Sequence, residues 1–180
     1  MTDSTSLLLE FVNTRDIQPD TDELDTPDKL AAWLAAHHLV PAGTRHAEAA
    51  DLSVAITLRE GLRAAFLAHH GPDQQAVPAE LDGVLAKLPV RVSLEASGPA
   101  LRPAGDGITG GLSGLAAAIM ETVADGTWTR LKVCLEETCR EAFLDTSKNR
   151  SRSWCSMRVC GNRTKTRTYR ARRRVGDSGQ

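Results

Sequence analysis

Apolar positions first gather at Leu7–Val12 (LLLEFV), a short run followed by Asn13 and Thr14, which predicts a buried strand or extended segment. Residues 16–26 are acidic and polar without periodicity and predict a loop. Thr26 then offers a capping side chain and Pro27 a proline at the first helical position. Leu30, Trp33, Leu34 and His37 follow at helical spacing, so a helix is expected over Pro27–His38, packed through Trp33 and broken by Pro41-Ala42-Gly43. The longest periodic stretch, Thr44–His69, puts Leu52, Ala55, Ile56, Leu62, Ala65, Phe66 and His69 on one face. Glu48, Arg59, Glu60 and Arg63 fall largely off that face, and His70-Gly71-Pro72 ends the helix. Residues 78–88 predict a shorter helix with Leu81, Val84, Leu85 and Leu88 inward. Val90, Val92 and Leu94 then alternate with Arg91, Ser93 and Glu95, the pattern of a half-buried strand, and Ala100–Pro103 can return beside it beyond Gly98-Pro99. Gly107–Asp125 resumes a helical pattern after a glycine-rich start, and Gly126-Thr127 breaks it. Residues 1–126 thus predict a mainly α domain with a small β component, an α+β unit.

Charge separates this unit from the rest. The net charge of −1 hides eight Lys and Arg against eighteen Asp and Glu over residues 1–129, and fourteen against five over 130–180. Such asymmetry predicts two modules with different partners: an acidic one that nucleic acid repels, expected to sense a signal or form a homodimer, and a basic one suited to a polyanion. The N-terminus, MTDSTSLLLEF, has no basic segment ahead of its three-residue Leu run, and no apolar stretch reaches the roughly 20 residues that span a bilayer. A cytoplasmic protein without a membrane partner is expected. Phosphate-loop, metalloprotease and nucleophile-elbow motifs are absent, so no enzyme is predicted. His37-His38, His46 and His69-His70 read as caps or surface residues.

All four cysteines lie in the basic module as two short-spaced pairs, Cys134 with Cys139 and Cys155 with Cys160. In a reducing compartment this spacing favours one structural Zn²⁺ over two disulfides, idle thiols or an iron–sulfur cluster. Four thiolates close the tetrahedron and leave no position for substrate. The apolar residues of the module, among them Leu131, Val133, Phe143, Trp154 and Val159, are too few for a core of their own, so the metal would supply most of its folding free energy, on the order of 10 kcal/mol. Gly161 permits a tight turn at the last ligand, and Asn162 is positioned to cap a helix running to about Arg174. The first pair would sit between strands and the second at the helix start, a treble-clef-like arrangement.

Twelve basic residues lie among Arg140–Arg174. On a helical wheel Arg163, Arg167, Arg170 and Arg174 share a face, Lys165 and Arg172 lie opposite, and Arg173 lies between. Arg163 and Arg167, near the helix start, are the candidates for base edges in a DNA major groove. Arg172, Arg173 and Arg174 are candidates for phosphate, and Arg150, Arg152 and Arg158 for the flanking backbone. With Tyr169 the only aromatic of the tail, duplex DNA is favoured over RNA. An RNA-associated or protein-interaction adaptor using the same module is the alternative.

The segment from Arg130, with Phe143, Asp145, Ser147, Arg152, Trp154-Cys155-Ser156-Met157, Cys160-Gly161-Asn162-Arg163 and Lys165, resembles the CGNR-type zinc finger. The part ahead of it, through Phe11-Val12-Asn13-Thr14, Asp25-Thr26-Pro27 and the Leu30/Trp33/Leu34 helix, is similar to the stress-responsive regulatory domain called ABATE. The resemblance implies a bacterial transcription regulator with a zinc finger, its binding to DNA being read mostly from the charge of the module.

Overall fold

The Asp3 carboxylate accepts a hydrogen bond from the Ser6 backbone N–H at 3.0 Å, and this cap starts a helix where the apolar run predicted a strand. Leu7, Leu8, Phe11 and Val12 form a helical stripe, and all four are buried. Their spacing was compatible with either reading; the capping Asp decided it.

The computed structural model describes residues 3–44, 46–71, 79–96 and 98–177, with the side chains of Thr168 and of residues 171–177 outside that description. About half the chain is helical, with small antiparallel two-stranded sheets among the described residues. In order, the elements are α1 (Ser4–Asn13), β1 (Arg15–Asp16), β2 (Thr21–Asp22), α2 (Pro27–Ala36), α3 (Ala49–Ala68) and α4 (Ala79–Leu85). There follow β3 (Val90–Glu95), β4 (Gly98–Pro103), α5 (Gly107–Ala124), β5 (Leu131–Val133), β6 (Ala142–Leu144) and α6 (Asn162–Asp177). The expected loop at 16–26 contains the β1–β2 hairpin, Arg15 opposite Asp22. Thr26 caps α2 with Pro27 in its first turn, as the sequence predicts. Helix α3 starts five residues later than expected, where Asp51 accepts a bond from the Glu48 N–H at 2.9 Å.

Two arginines of α3, predicted to lie off its core face, are buried instead. Arg63 donates to three backbone carbonyls, those of Val12 at 2.6 Å, Arg140 at 2.7 Å and Arg15 at 3.1 Å. Arg59 holds both carboxylate oxygens of Asp22 at 2.7 and 2.8 Å and the Thr14 hydroxyl at 3.2 Å. These guanidinium groups serve the end of α1, whose last carbonyls have no partner within the helix. A charge can be buried here because each is fully paired.

Helix α5 is, by length and composition alone, apolar enough to cross a membrane, yet 56% of it is buried inside the protein. It is a core helix: Ile108, Leu112, Leu115 and Ala118 lie in the main apolar cluster with Phe11, Leu34, Leu62 and Phe66. Its glycines permit close approach. A Cβ on Gly110 would stand 2.2 Å from the Gly105 carbonyl oxygen, and one on Gly111 would stand 2.7 Å from a methyl of Val40. The β3–β4 hairpin packs on α5 mainly through β4. Its alternating face is not half-buried as predicted: Val92 is 69% and Leu94 84% exposed.

The C-terminal segment is built into this core. Leu131, Val133 and Ala142 belong to the same apolar cluster as the helices. Trp128 meets Phe66 and His69 edge-on, with ring centroids 5.5 and 5.2 Å apart. Asn13 forms a two-bond bridge to β6, donating to the Ala142 carbonyl at 3.0 Å and accepting from its N–H at 2.7 Å.

Candidate zinc centre and basic surface

Cys134 follows β5 and Cys139 precedes β6, so the first pair sits on the loop of a short hairpin. Cys155 and Cys160 bracket the start of the last helical segment, a π-turn over Met157–Gly161 that runs directly into α6. The backbone draws the loop tight: the N–H of Cys134 donates to Glu141, and those of Cys139 and Arg140 to Glu136. Arg140 has a positive φ of 53°, which turns the chain into β6.

The four thiols are free and converge, every sulfur lying within 4.8 Å of the others. Cys139 Sγ is 3.6 Å from Cys155 Sγ, which is 3.7 Å from Cys160 Sγ. Tetrahedral Zn–S bonds of about 2.3 Å imply sulfur–sulfur edges of about 3.8 Å. The donor set therefore fits one structural Zn²⁺. Burial, together with the neighbouring thiols, pushes Cys139 up to about 12 and raises Cys155 as well, so four thiolates side by side require a cation to compensate them. Phe143 and Trp154 pack over the cluster.

Around the cluster, three residues absent from the sequence-based site carry much of the wiring. Glu136, fully buried, accepts from Arg167 at 2.9 and 3.1 Å, from Thr164 at 2.8 Å and from Thr138 at 3.2 Å. Burial disfavours its charge, but the Arg167, Thr164 and Thr138 bonds outweigh that and lower its pKa to about 2. Lys132 and Asp145 form a buried pair at 2.8 Å. Asp145 also accepts from the Ser147 N–H and hydroxyl and from the Arg152 N–H, and these bonds overcome burial to keep it ionised. The Asp145, Ser147 and Arg152 positions of the motif are thus internal wiring.

The basic residues divide accordingly. Arg152 donates to the Trp154 and Cys155 carbonyls and lies 4.9 Å over the Phe143 ring, so it braces the second knuckle. Arg150, at φ 52°, donates to Thr129 at 3.2 Å. The two candidates for base edges are both engaged: Arg167 with Glu136, and Arg163 with Gln18 at 3.0 Å and Thr138 at 3.1 Å. The wheel face that carries them turns toward the knuckle at its first two positions. Arg158, Lys165 and Arg170 are exposed, with no side-chain hydrogen bond or ion pair among the described residues. The side chains of Arg172, Arg173 and Arg174 lie outside the described residues, although their backbone continues α6. Asn162 is not the expected cap. Ser156 caps the segment six residues earlier, accepting from the Val159 N–H, while Asn162 is helical and donates to the Arg158 carbonyl. Gly161 has no positive φ; it is small because Met157 and Trp154 pack against it.

His69 and His70, predicted as cap or surface residues, fasten α3 to the knuckle. His69 Nδ1 meets the Leu131 carbonyl and His70 Nε2 the Val133 carbonyl, each at 2.7 Å. Both are lowered from the usual histidine value, chiefly by burial, and so favour the neutral ring. Adjacent His residues at a helix end gave no signal that strand carbonyls would face them.

A closed tetrathiolate knuckle carrying a basic helix, set against a mainly helical unit, defines the class as a zinc-finger protein with an attached helical domain. The chain belongs to the ABATE family, described as "Putative stress-induced transcription regulator", whose model matches residues 5–126, and it carries a CGNR zinc finger over residues 130–173. Neither is an enzyme family. No curated protein matches the chain.

Proposed function

We propose that the protein is a DNA-binding transcription regulator whose zinc module, of treble-clef type with Cys134, Cys139, Cys155 and Cys160 as ligands, presents α6 to the phosphate backbone. The observation that carries this reading is the division of labour among the cations. Arg152, Arg163 and Arg167 hold the module together, whereas Arg158, Lys165 and Arg170 are exposed and, among the described residues, unpaired. A fold that ties some arginines down while leaving others in water has cations free for a polyanion. Arg172, Arg173 and Arg174 extend the same helix and are assigned to phosphate. Arg158 lies in the π-turn and Lys165 in the first turn of α6, both exposed to solvent. The zinc is structural: it fixes the knuckle from which α6 projects.

Fluorescence anisotropy with duplex DNA over a salt series tests the reading. Neutralising about six phosphates gives a slope of log K against log salt near −5. Substituting Arg158, Lys165 and Arg170 together by Ala should flatten it by about three contacts while leaving the zinc content at one per chain. Binding that ignores salt overturns the mechanism. Preference for single-stranded RNA, with loss on Tyr169→Ala, would move the protein to the adaptor reading.

A further inference from the structure

Among the described residues, the β3–β4 hairpin stands as a two-stranded sheet with no third strand. Such a ribbon is marginal alone; it needs more strands or cover on its apolar face. Helix α5 covers it mainly along β4, which leaves β3 as an open edge, with Val92 and Leu94 the most exposed large apolar side chains among the described residues. Glu95 opposite Gly98 closes the hairpin, so alternation directs the N–H and C=O groups of Val90, Val92 and Leu94 away from β4. No other backbone group among the described residues bonds to that edge.

We propose that the protein forms a homodimer through this edge, two β3 strands lying antiparallel about a two-fold axis to give a continuous four-stranded sheet. The charge pattern selects the register. With Ser93 on the axis, Arg91 lies opposite the second copy's Glu95 at both ends, and Val92 lies opposite the second copy's Leu94. That places an ion pair and an apolar pair on opposite faces, and each outward Val92 and Leu94 backbone finds a partner. Two neighbouring registers also match the outward groups: one centres on Leu94 and sets Ser93 against Glu95, leaving no ion pair, and the other centres on Val92. It sets Arg91 against Ser93 and Glu95 against Pro89, which has neither charge nor N–H. Arg91 is exposed and makes no hydrogen bond or contact ion pair within its own chain among the described residues, its charge reaching its own Glu95 only as longer-range attraction, whereas Glu95 is already held by Arg102 at 2.7 Å. The acceptor is therefore fixed and the donor is available. The contact is isologous, the same patch meeting itself, so it closes at two copies. It also covers an edge that would otherwise invite aggregation.

Sedimentation velocity of the full chain, without nucleic acid, tests this separately from DNA binding. The expected species has twice the 19.4 kDa of one chain. Arg91→Glu should give monomer, because it faces Glu95 across the axis, with circular dichroism unchanged. Mixing it with Glu95→Arg should restore a dimer, one acidic and one basic side chain then meeting at both contacts. Val92→Lys, at a solvent-facing position, should give monomer without touching any ion pair. A wild-type chain that stays monomeric throughout a concentration series overturns the proposal, as does an Arg91→Glu variant that remains dimeric.

Discussion

At the scale of single residues, the informative contrast is between Arg167 and Arg170, three positions apart on α6. Arg167 neutralises a carboxylate with no exposure to solvent, and Arg170 neutralises nothing among the described residues. Arg167→Ala strands the Glu136 charge beneath the knuckle. It should destabilise the protein by about 3 kcal/mol, the low end for an orphaned buried charge because half of the arginine is exposed to water. Arg170→Ala should leave the melting temperature unchanged and weaken nucleic-acid binding alone. Thermal melts and anisotropy on the two variants separate the roles; equal stability would remove Glu136 as the anchor of α6. The sequence reading turned all these arginines toward nucleic acid, some to base edges and others to the backbone. Only their distances to Glu136, Gln18 and the Trp154 carbonyl show that some are structural.

At the scale of elements, α5 illustrates how small residues set geometry. Its N-terminal turn approaches the Gly105 carbonyl so closely that Gly110 has no room for a methyl, and the obstacle is backbone, which cannot rotate aside. Gly110→Ala should therefore cost about 1–3 kcal/mol despite Ala's better helix propensity. By contrast Gly83→Ala, in α4 with open space around it, should be neutral or stabilising by a few tenths of a kcal/mol. Denaturant unfolding of the pair checks the sign of the difference. The helical pattern of 107–125 and the cap at Thr26 were legible because they depend on neighbours in sequence. The identity of α1 was half legible: Asp3 three residues before Ser6 was the signal that the apolar run overshadowed.

At the scale of the whole molecule, α1, α3 and the knuckle are tied by neutral and charged bonds that cross the chain. Asn13 bridges to β6, Arg63 reaches Arg140, and the His69 and His70 rings face the β5 carbonyls. Both histidines are held below their ordinary value by burial, so the unfolded chain binds more protons than the folded one as pH falls through about 6.5. Their contribution is fully present above that value and is lost on acidification toward the folded pKa. The melting temperature should fall further from about pH 7.5 to about pH 5.5 in the wild type than in a His69→Gln/His70→Gln variant, whose amides can still donate but do not titrate. Protonation of the zinc thiolates affects both proteins, so the difference between them isolates the histidines. An identical fall in the two would show that the rings carry no such linkage.

What the sequence determined by itself was whatever rests on spacing along the chain: the paired thiols, the helical periods of α2, α4 and α5, the existence of the β3–β4 hairpin, and the charge contrast between the two ends. These are local, since a cap, a heptad-scale stripe or a Cys pair acts over a few residues. The tertiary structure decided which polar groups are buried and with whom. Arg59 and Arg63 look like surface residues until the end of α1 is set before them. The β3 face looks half-buried until α5 is seen to lie mainly under β4. Glu136 looks like one more acidic loop residue until α6 brings Arg167 to it. The physical reason is the same in each case: desolvating a charge or a strand face is decided by elements distant in sequence, and no period in the chain records their approach.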